Sequence, residues 1–194
     1  DYPIVGGKAN DLFPWPAVQE DRNVFGASAV AIPGQVAGMA LAHETFATKP
    51  WADLLAPAIQ LADEGLPVDW FAQLIIGGSA RDLHPFEASR DTFLDDAGFP
   101  KSSGWTALGA TTCDLSRLAA SLRIVADKGA AGFYEGPLAE SIIADLQAAG
   151  GRHSLQDLSS YRATLVAASQ HDYRGHTILG TPPLLVGFGK DAAH

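Results

Sequence analysis

The sequence is short of cysteine: Cys113 stands alone, so no internal disulfide and no cysteine-rich zinc site can form. It is also short of positive charge. Thirteen Lys and Arg face twenty-two Asp and Glu, a formal net charge of -9. With no basic cluster to reverse that balance locally, a phosphate backbone is repelled, and nucleic acid is excluded as a partner class. No run approaches the ~20 apolar residues that a membrane span requires. Internal repeats and low-complexity tracts are absent as well.

What is there is apolar and mixed. Hydrophobic residues make up 47% and charged residues 18% of 194 positions, enough for a sizeable core and against disorder. That length suits one domain or a large piece of a bigger one. The chain opens on Asp1 rather than Met and shows no signal-peptide pattern, which fits a part of a longer product.

Residues 1–28 read as an irregular lead-in, because Pro3, Gly6-Gly7, Pro14 and Pro16 forbid a long helix. Val30 and Ile32 alternate with small residues, predicting a short strand over 28–32. Pro33-Gly34 breaks it, with Gly34 free to take positive φ, and helical spacing follows through Val36, Met39 or Ala40, His43 and Phe46. A second helix contains Pro50 and Pro57 in its first turns and ends at Gly65. Its expected buried stripe is Leu54, Leu55, Ala58, Ile59 and Ala62. Asp69 caps a third helix that stops near Gly77-Gly78.

The region from His84 to Thr112 is the least regular. Asp114 caps the next helix, along which Leu115, Leu118, Leu122 and Val125 line one face and which Gly129 stops. Pro137 opens another, closed by Gly150-Gly151. Ser154 and Asp157 form a variant capping box, and two extended segments flank a polar turn after Ala163. The fold class expected is α+β and helix-rich.

Several residues are of types able to do chemistry. His43-Glu44 lacks the second histidine of a zinc helix, since Ala47 stands one turn on, so a structural role is favoured. Gly187-Phe188-Gly189-Lys190 is no phosphate loop, because Leu184 replaces the first glycine and Asp191 the Ser or Thr. Gly77-Gly78-Ser79-Ala80-Arg81 lacks the closing glycine and preceding strand of a nucleophile elbow.

Cys113 has His84 and His153 elsewhere in the chain, but Asp114 beside it disfavours a thiolate. The acidic pairs Glu20-Asp21, Asp63-Glu64 and Asp95-Asp96 read as solvated surface. Phe133-Tyr134-Glu135-Gly136 reads as an aromatic plug at a helix start, with a ligand platform as the alternative. No catalytic, cofactor-binding or metal-ligating residue is assigned within the chain, and no cofactor is expected.

The order of segments says more than any one of them. AVAIPGQVAGMALAHETF (29–46) is followed by KPWADLLAPAIQLADEGLPV (49–68). DLSRLAASLRIVADKGAAGFYEGPLAESIIADLQAAGGRHSLQDLSSYRA (114–163) and YRGHTILGTPP (173–183) come after them. Together these resemble the gamma-glutamyltranspeptidase family, including its cephalosporin-acylase-like members, over residues 29–183.

The resemblance implies the large-subunit part of an N-terminal nucleophile hydrolase, an αββα sandwich made as a self-cleaving precursor. It implies a threonine nucleophile at the start of a catalytic small subunit, which would be this chain's partner. The small-molecule substrate would be a γ-glutamyl or acyl amide. A threonine hydroxyl needs a base to attack an amide, and its own free amine would serve.

Thr111-Thr112-Cys113 lies upstream of the Phe-Tyr-x-Gly motif and does not match the family's cleavage junction. The family's substrate-binding arginine would precede Asp1. Thr181-Pro182-Pro183-Leu184-Leu185-Val186-Gly187 lacks the family's serine pair, which leaves room for an acylase-like hydrolase. Residues 184–194 read as an atypical tail, from a truncation or non-family sequence. A non-enzymatic helical binding module is the rival reading. The chain alone is expected to be inactive and to self-associate through exposed apolar faces, and the family's habit of export leans towards the periplasm or the outside.

Overall fold

The computed structural model describes residues 4–8, 16–102 and 111–180. Near its start, β1 (Ile4–Lys8) pairs antiparallel with β2 (Pro16–Val18). Two single-turn 3-10 segments, Gln19–Asp21 and Ala27–Ala29, lead to the first helix. No strand forms over 28–32: Val30 and Ile32 alternate as a strand should, but among the described residues no second strand lies alongside to take their backbone hydrogen bonds.

Helices dominate from there. α1 (Gln35–Phe46) packs lightly: none of its residues is fully buried, and Met39 and Phe46 are exposed. α2 (Trp51–Glu64) lies along α5 (Ser116–Lys128), the most extensive contact between helices. Trp51 Nε1 donates to the Val125 carbonyl at 2.8 Å, fixing the pair in register. Of the expected stripe on α2, Ala62 is buried and Leu55 and Ile59 are half-buried, whereas Leu54 and Ala58 face solvent. Pro57 lies inside the helix rather than in its first turn, and lacks the N–H that the Asp53 carbonyl would accept. Gly65, at φ +81°, ends α2 as expected.

β3 (Leu66–Pro67) pairs with β4 (Thr112–Cys113), and between them stand α3 (Trp70–Leu83) and α4 (Glu87–Phe93). Asp69 caps α3 by accepting from the Ala72 amide at 2.8 Å. The helix runs through Gly77-Gly78, because Ile76, Ala80 and Leu83 beyond and around them pack into one core with Val68, Leu94 and Cys113.

The second core joins α6 (Ala131–Tyr134), α7 (Gly136–Ala148) and α8 (Leu155–Ser159) through Tyr134, Ala139, Ile143 and Leu158. The capping box of α8 is complete, with Ser154 and Asp157 each serving the other's backbone amide. β5 (Ser169–Tyr173) and β6 (His176–Gly180) form a hairpin around Arg174 and Gly175, both at positive φ, the geometry a two-residue hairpin turn requires. Among the described residues the strands form three separate two-stranded sheets, and the fold is helix-rich α+β.

Candidate functional site

The tightest constellation of polar groups surrounds the Pro33-Gly34 turn. Gly34 caps α1 without a side chain to satisfy the helix's first amides, and Tyr134 does so from α6 instead. Its hydroxyl donates to the Pro33 carbonyl at 2.6 Å and accepts from the Ala37 amide at 3.1 Å. Burial pushes the Tyr134 phenol above its ordinary range. Tyr161 stacks on the Tyr134 ring, centroids 5.9 Å apart and planes within 12°, while Phe133 meets it edge-on at 5.0 Å.

Tyr161 also explains Gly34. The glycine sits at φ -97°, open to any residue, so positive φ is not its reason. A Cβ there would lie 2.7 Å from Tyr161 Cζ, closer than carbon atoms approach, so the glycine answers a lack of space. The aromatic plug is thus a clasp: it closes the Pro-Gly turn as well as opening α7. The Phe-Tyr-Glu-Gly run signalled an aromatic site, but nothing in it named the turn as the partner.

Of two concavities in this part of the chain, one is lined by Tyr134 and Tyr161 of the clasp. The smaller, about 310 Å3, lies between α1 and the Tyr134–Arg162 side of the second core, with Glu44 and Glu135 at its rim. The larger, about 790 Å3, lies between residues 22–32 and 149–157. Arg22 and Arg152 line its wall, with His153 and Asp157 beside them. His153 Nε2 meets the Val30 carbonyl at 2.7 Å, while its buried Nδ1 has no hydrogen-bond partner. Hydrogen bonds from the Ser154 hydroxyl and then the Ser154 amide hold the Asp157 carboxyl below the usual range. The hydroxyl–carboxylate pairs here and elsewhere, Ser154 with Asp157 and Thr177 with Asp172, serve a helix cap and a hairpin.

The other residues tested in the sequence take structural places. His43 Nε2 bonds the Lys49 carbonyl at 2.8 Å and meets Trp51 edge-on at 5.3 Å. Asp63 pairs with Arg123 across α2 and α5 at the surface, and Glu64 accepts from Gln60 at 2.8 Å. Asp95 Oδ1 accepts from the Ala97 and Phe99 amides, closing a turn. Gly77-Gly78-Ser79 are helical, so no nucleophile elbow forms there. Cys113 is fully buried among apolar side chains, and burial pushes its thiol up.

Thr112 and Cys113 belong to β4, paired with Leu66 and Pro67. Among the described residues no three His, Cys, Asp or Glu gather closely enough to hold a metal ion. No described helix is long and apolar enough to cross a membrane. Glu20's side chain, Thr181–Gly187 and the Gly187–Lys190 segment lie outside the described residues.

The clasp thus ties the start of α1 to the second core, and comparison with other proteins identifies the fold it belongs to. The profile described as Gamma-glutamyltranspeptidase matches residues 7–188. The chain belongs to the gamma-glutamyltranspeptidase family.

Among the family's curated proteins, a glutathione hydrolase proenzyme of Pseudomonas sp. (strain A14) is 33% identical over 172 residues. That match covers 86% of this chain and 29% of the relative. An acylase ACY 1 proenzyme of Pseudomonas sp. (strain V22) is 35% identical over 169 residues, covering 85% and 28%. In three dimensions the chain is similar to the gamma-glutamyltranspeptidase of Helicobacter pylori, with a TM-score of 0.78 at 27% identity, over 86% of this chain and 46% of that one. The chain thus spans under a third of the length of these curated relatives.

Proposed function

We propose that this chain is part of the large subunit of a gamma-glutamyltranspeptidase-like amidohydrolase, and that it does no chemistry alone. In the complete enzyme, an N-terminal threonine on a small subunit cut from the same precursor would attack a γ-glutamyl or acyl amide, its own amine acting as base. The acyl group would then pass to water or to another amine. The proposed role of these residues is a helical shell with a strand pair, one side of an αββα sandwich completed by the partner.

The observation that carries this reading is the β5–β6 hairpin. All ten of its residues are exposed, Tyr173, Ile178 and Leu179 among them at 57%, 53% and 64%. A lone two-stranded hairpin is marginally stable in water, and apolar side chains on it gain only when covered. Strands supplied by a second polypeptide would pair its edges and bury those side chains. The likeness to both a glutathione hydrolase and an acylase leaves the acyl group open between γ-glutamyl and a bulkier amide acid.

The test is co-expression of this chain with the downstream part of its reading frame. γ-Glutamyl-p-nitroanilide and an acyl-amide substrate are assayed with each polypeptide alone and with the pair. Turnover by the pair, absent from this chain alone, is expected. A soluble, stoichiometric pair that turns over neither substrate would overturn the proposal and favour a binding module.

A further inference from the structure

We infer that β3, α3, α4 and β4 form one lobe that opens as a unit on a single pivot, while α2, α5 and the second core stay folded, and that Cys113 reports the opening. The lobe is described at residues 66–102 and 111–113. Contacts within the chain carry this, with no part played by the catalytic partner proposed above.

The pivot lies where the chain enters the lobe after Gly65 and leaves it before Asp114, two points that touch. Leu66 pairs with Cys113 and Pro67 with Thr112, and the Val68 amide donates to the Thr111 carbonyl at 2.8 Å. A Cβ on Gly65 would lie 2.7 Å from the Cys113 carbonyl oxygen, and Gly65 itself stands at φ +81°. Both the close approach and the backbone angle require glycine there. Two crossings at one place make a hinge, whereas crossings far apart would brace the lobe against the rest.

Inside the lobe the contacts close on themselves. Its core is Val68, Ile76, Leu94 and Cys113, and no residue of it belongs to the second core. The hydrogen bonds behave alike. Arg90 donates to the His84 carbonyl at 3.2 Å, Lys101 donates to the Asp91 carbonyl at 2.7 Å, and Asp95 accepts from Ala97 and Phe99. Among the described residues, no hydrogen bond or ion pair leads from 66–102 to α1, α2 or α5–α8. The most extensive packing of α3 is with α4, whereas Trp51 and Val125 tie α2 to α5.

Size sets the order of stabilities. A unit of roughly 40–50 residues buries too little apolar surface to be firmly stable by itself. Opening it uncovers its own core and leaves the other contacts intact, so it costs less than global unfolding. Leu94 and Cys113, 3% and 0% exposed, are among the side chains that opening lays bare.

Cys113 is the chain's one thiol, so Ellman's reagent at low concentration reads the opening directly. In the full chain without denaturant, Cys113 should react about tenfold or more faster than the global unfolding equilibrium allows, with that equilibrium taken from urea melts followed by circular dichroism. Leu94→Ala should raise the rate by about thirtyfold or more, the factor that a buried Leu→Ala change implies. Ile143→Ala, in the second core, should lower the urea midpoint yet leave the rate within about twofold. Native-state amide exchange in the parent chain gives a reading free of mutation: α3 and α4 amides should share one opening, easier than that of α7. Labelling no faster than global unfolding permits would overturn the inference. So would Ile143→Ala quickening it as much as Leu94→Ala does, or α3 and α7 amides exchanging through one common opening.

Discussion

Replacing Tyr134 by Phe removes one oxygen and leaves two backbone groups without partners. The Pro33 carbonyl loses a donor at 2.6 Å, and the Ala37 amide loses an acceptor at 3.1 Å. Both lie where Gly34 offers no capping side chain, so α1 has no local substitute. The ring itself stays, together with its stacking on Tyr161 and its place in the second core. The loss is therefore one of hydrogen bonding rather than of packing. An unsatisfied, largely buried polar group costs about 1–3 kcal/mol, and partial access of water to the helix start puts the pair at about 2 kcal/mol.

For a chain of this size about 2 kcal/mol lowers Tm by roughly 4–8 °C. Urea denaturation followed by far-UV circular dichroism gives the free energy, and amide exchange at Ala37 gives the location. Exchange there should quicken in Tyr134→Phe while α5 keeps its protection.

The phenol adds a pH signature. Its pKa is raised in the folded chain, so the folded state holds a proton that the unfolded state releases first. Stability from this group is full below the ordinary tyrosine value, about 10, and is lost as pH rises through the folded value. Tyr134→Phe should flatten the alkaline decline as well as lower the plateau at neutral pH. A variant within 0.5 kcal/mol of the parent at neutral pH, with Ala37 exchange unchanged, would refute the clasp.

Gly34→Ala should destabilise by about 1–3 kcal/mol through its clash with the Tyr161 ring. Thermal melts should show a smaller penalty when Tyr161→Leu removes the ring as well. Cys113 should resist Ellman's reagent in the native chain and react as urea unfolds it, because burial raises its pKa and blocks access. Prompt labelling of the native chain would contradict its place in the first core. In acid, Asp157 and Asp114 should each withdraw support: hydrogen bonds from Ser154 and Ser116 keep their folded pKa values low. Their contribution is present above the ordinary carboxylate range and lost as pH falls through the folded values. Urea midpoints between neutral pH and pH about 3 should fall less steeply in Ser154→Ala than in the parent.

Features with local causes were legible in the sequence. Asp69, the Ser154–Asp157 box, and Gly65 and Gly129 each act within a few residues of themselves, and all sit at helix ends as read. The hairpin at Arg174-Gly175 is of the same kind. Features decided by distant partners were not legible. Alternation over 28–32 suggested a strand, but a strand needs a neighbour, and the described residues supply none there. Gly77-Gly78 suggested a stop, but the apolar residues around them pack into a core that outweighs two weak helix formers.

The reason for Gly34 was misread for the same cause, since the ring it makes room for belongs to Tyr161. Tyr134 reaches a carbonyl 101 residues away, and no spacing rule reports such a pairing. As for the candidate site, the sequence yielded no catalytic residue. The structure brings together a clasp, whose Tyr134 hydroxyl holds the start of α1, and two clefts, in the larger of which His153 Nδ1 is buried without a hydrogen-bond partner.

The distribution of apolar surface distinguishes the faces of this chain. Tyr134, Ile143, Leu158, Ile76 and Leu94 close two small cores, the first joining α3 to α4 and the second joining α6–α8 to the start of α1. Exposed apolar residues occur along much of the chain, and two of the elements that carry them differ in construction. On β5–β6 they stand on strands whose outer edges have no partner among the described residues, so cover there would bring backbone hydrogen bonds together with burial. On α3 the backbone is already satisfied within the helix, so cover can bring side-chain packing alone. The first is a surface for completing a sheet, the work proposed for the catalytic subunit; the second can gain side-chain packing alone. A docked strand should protect β5–β6 amides from exchange, whereas cover at α3 should leave backbone protection unchanged and alter only side-chain access.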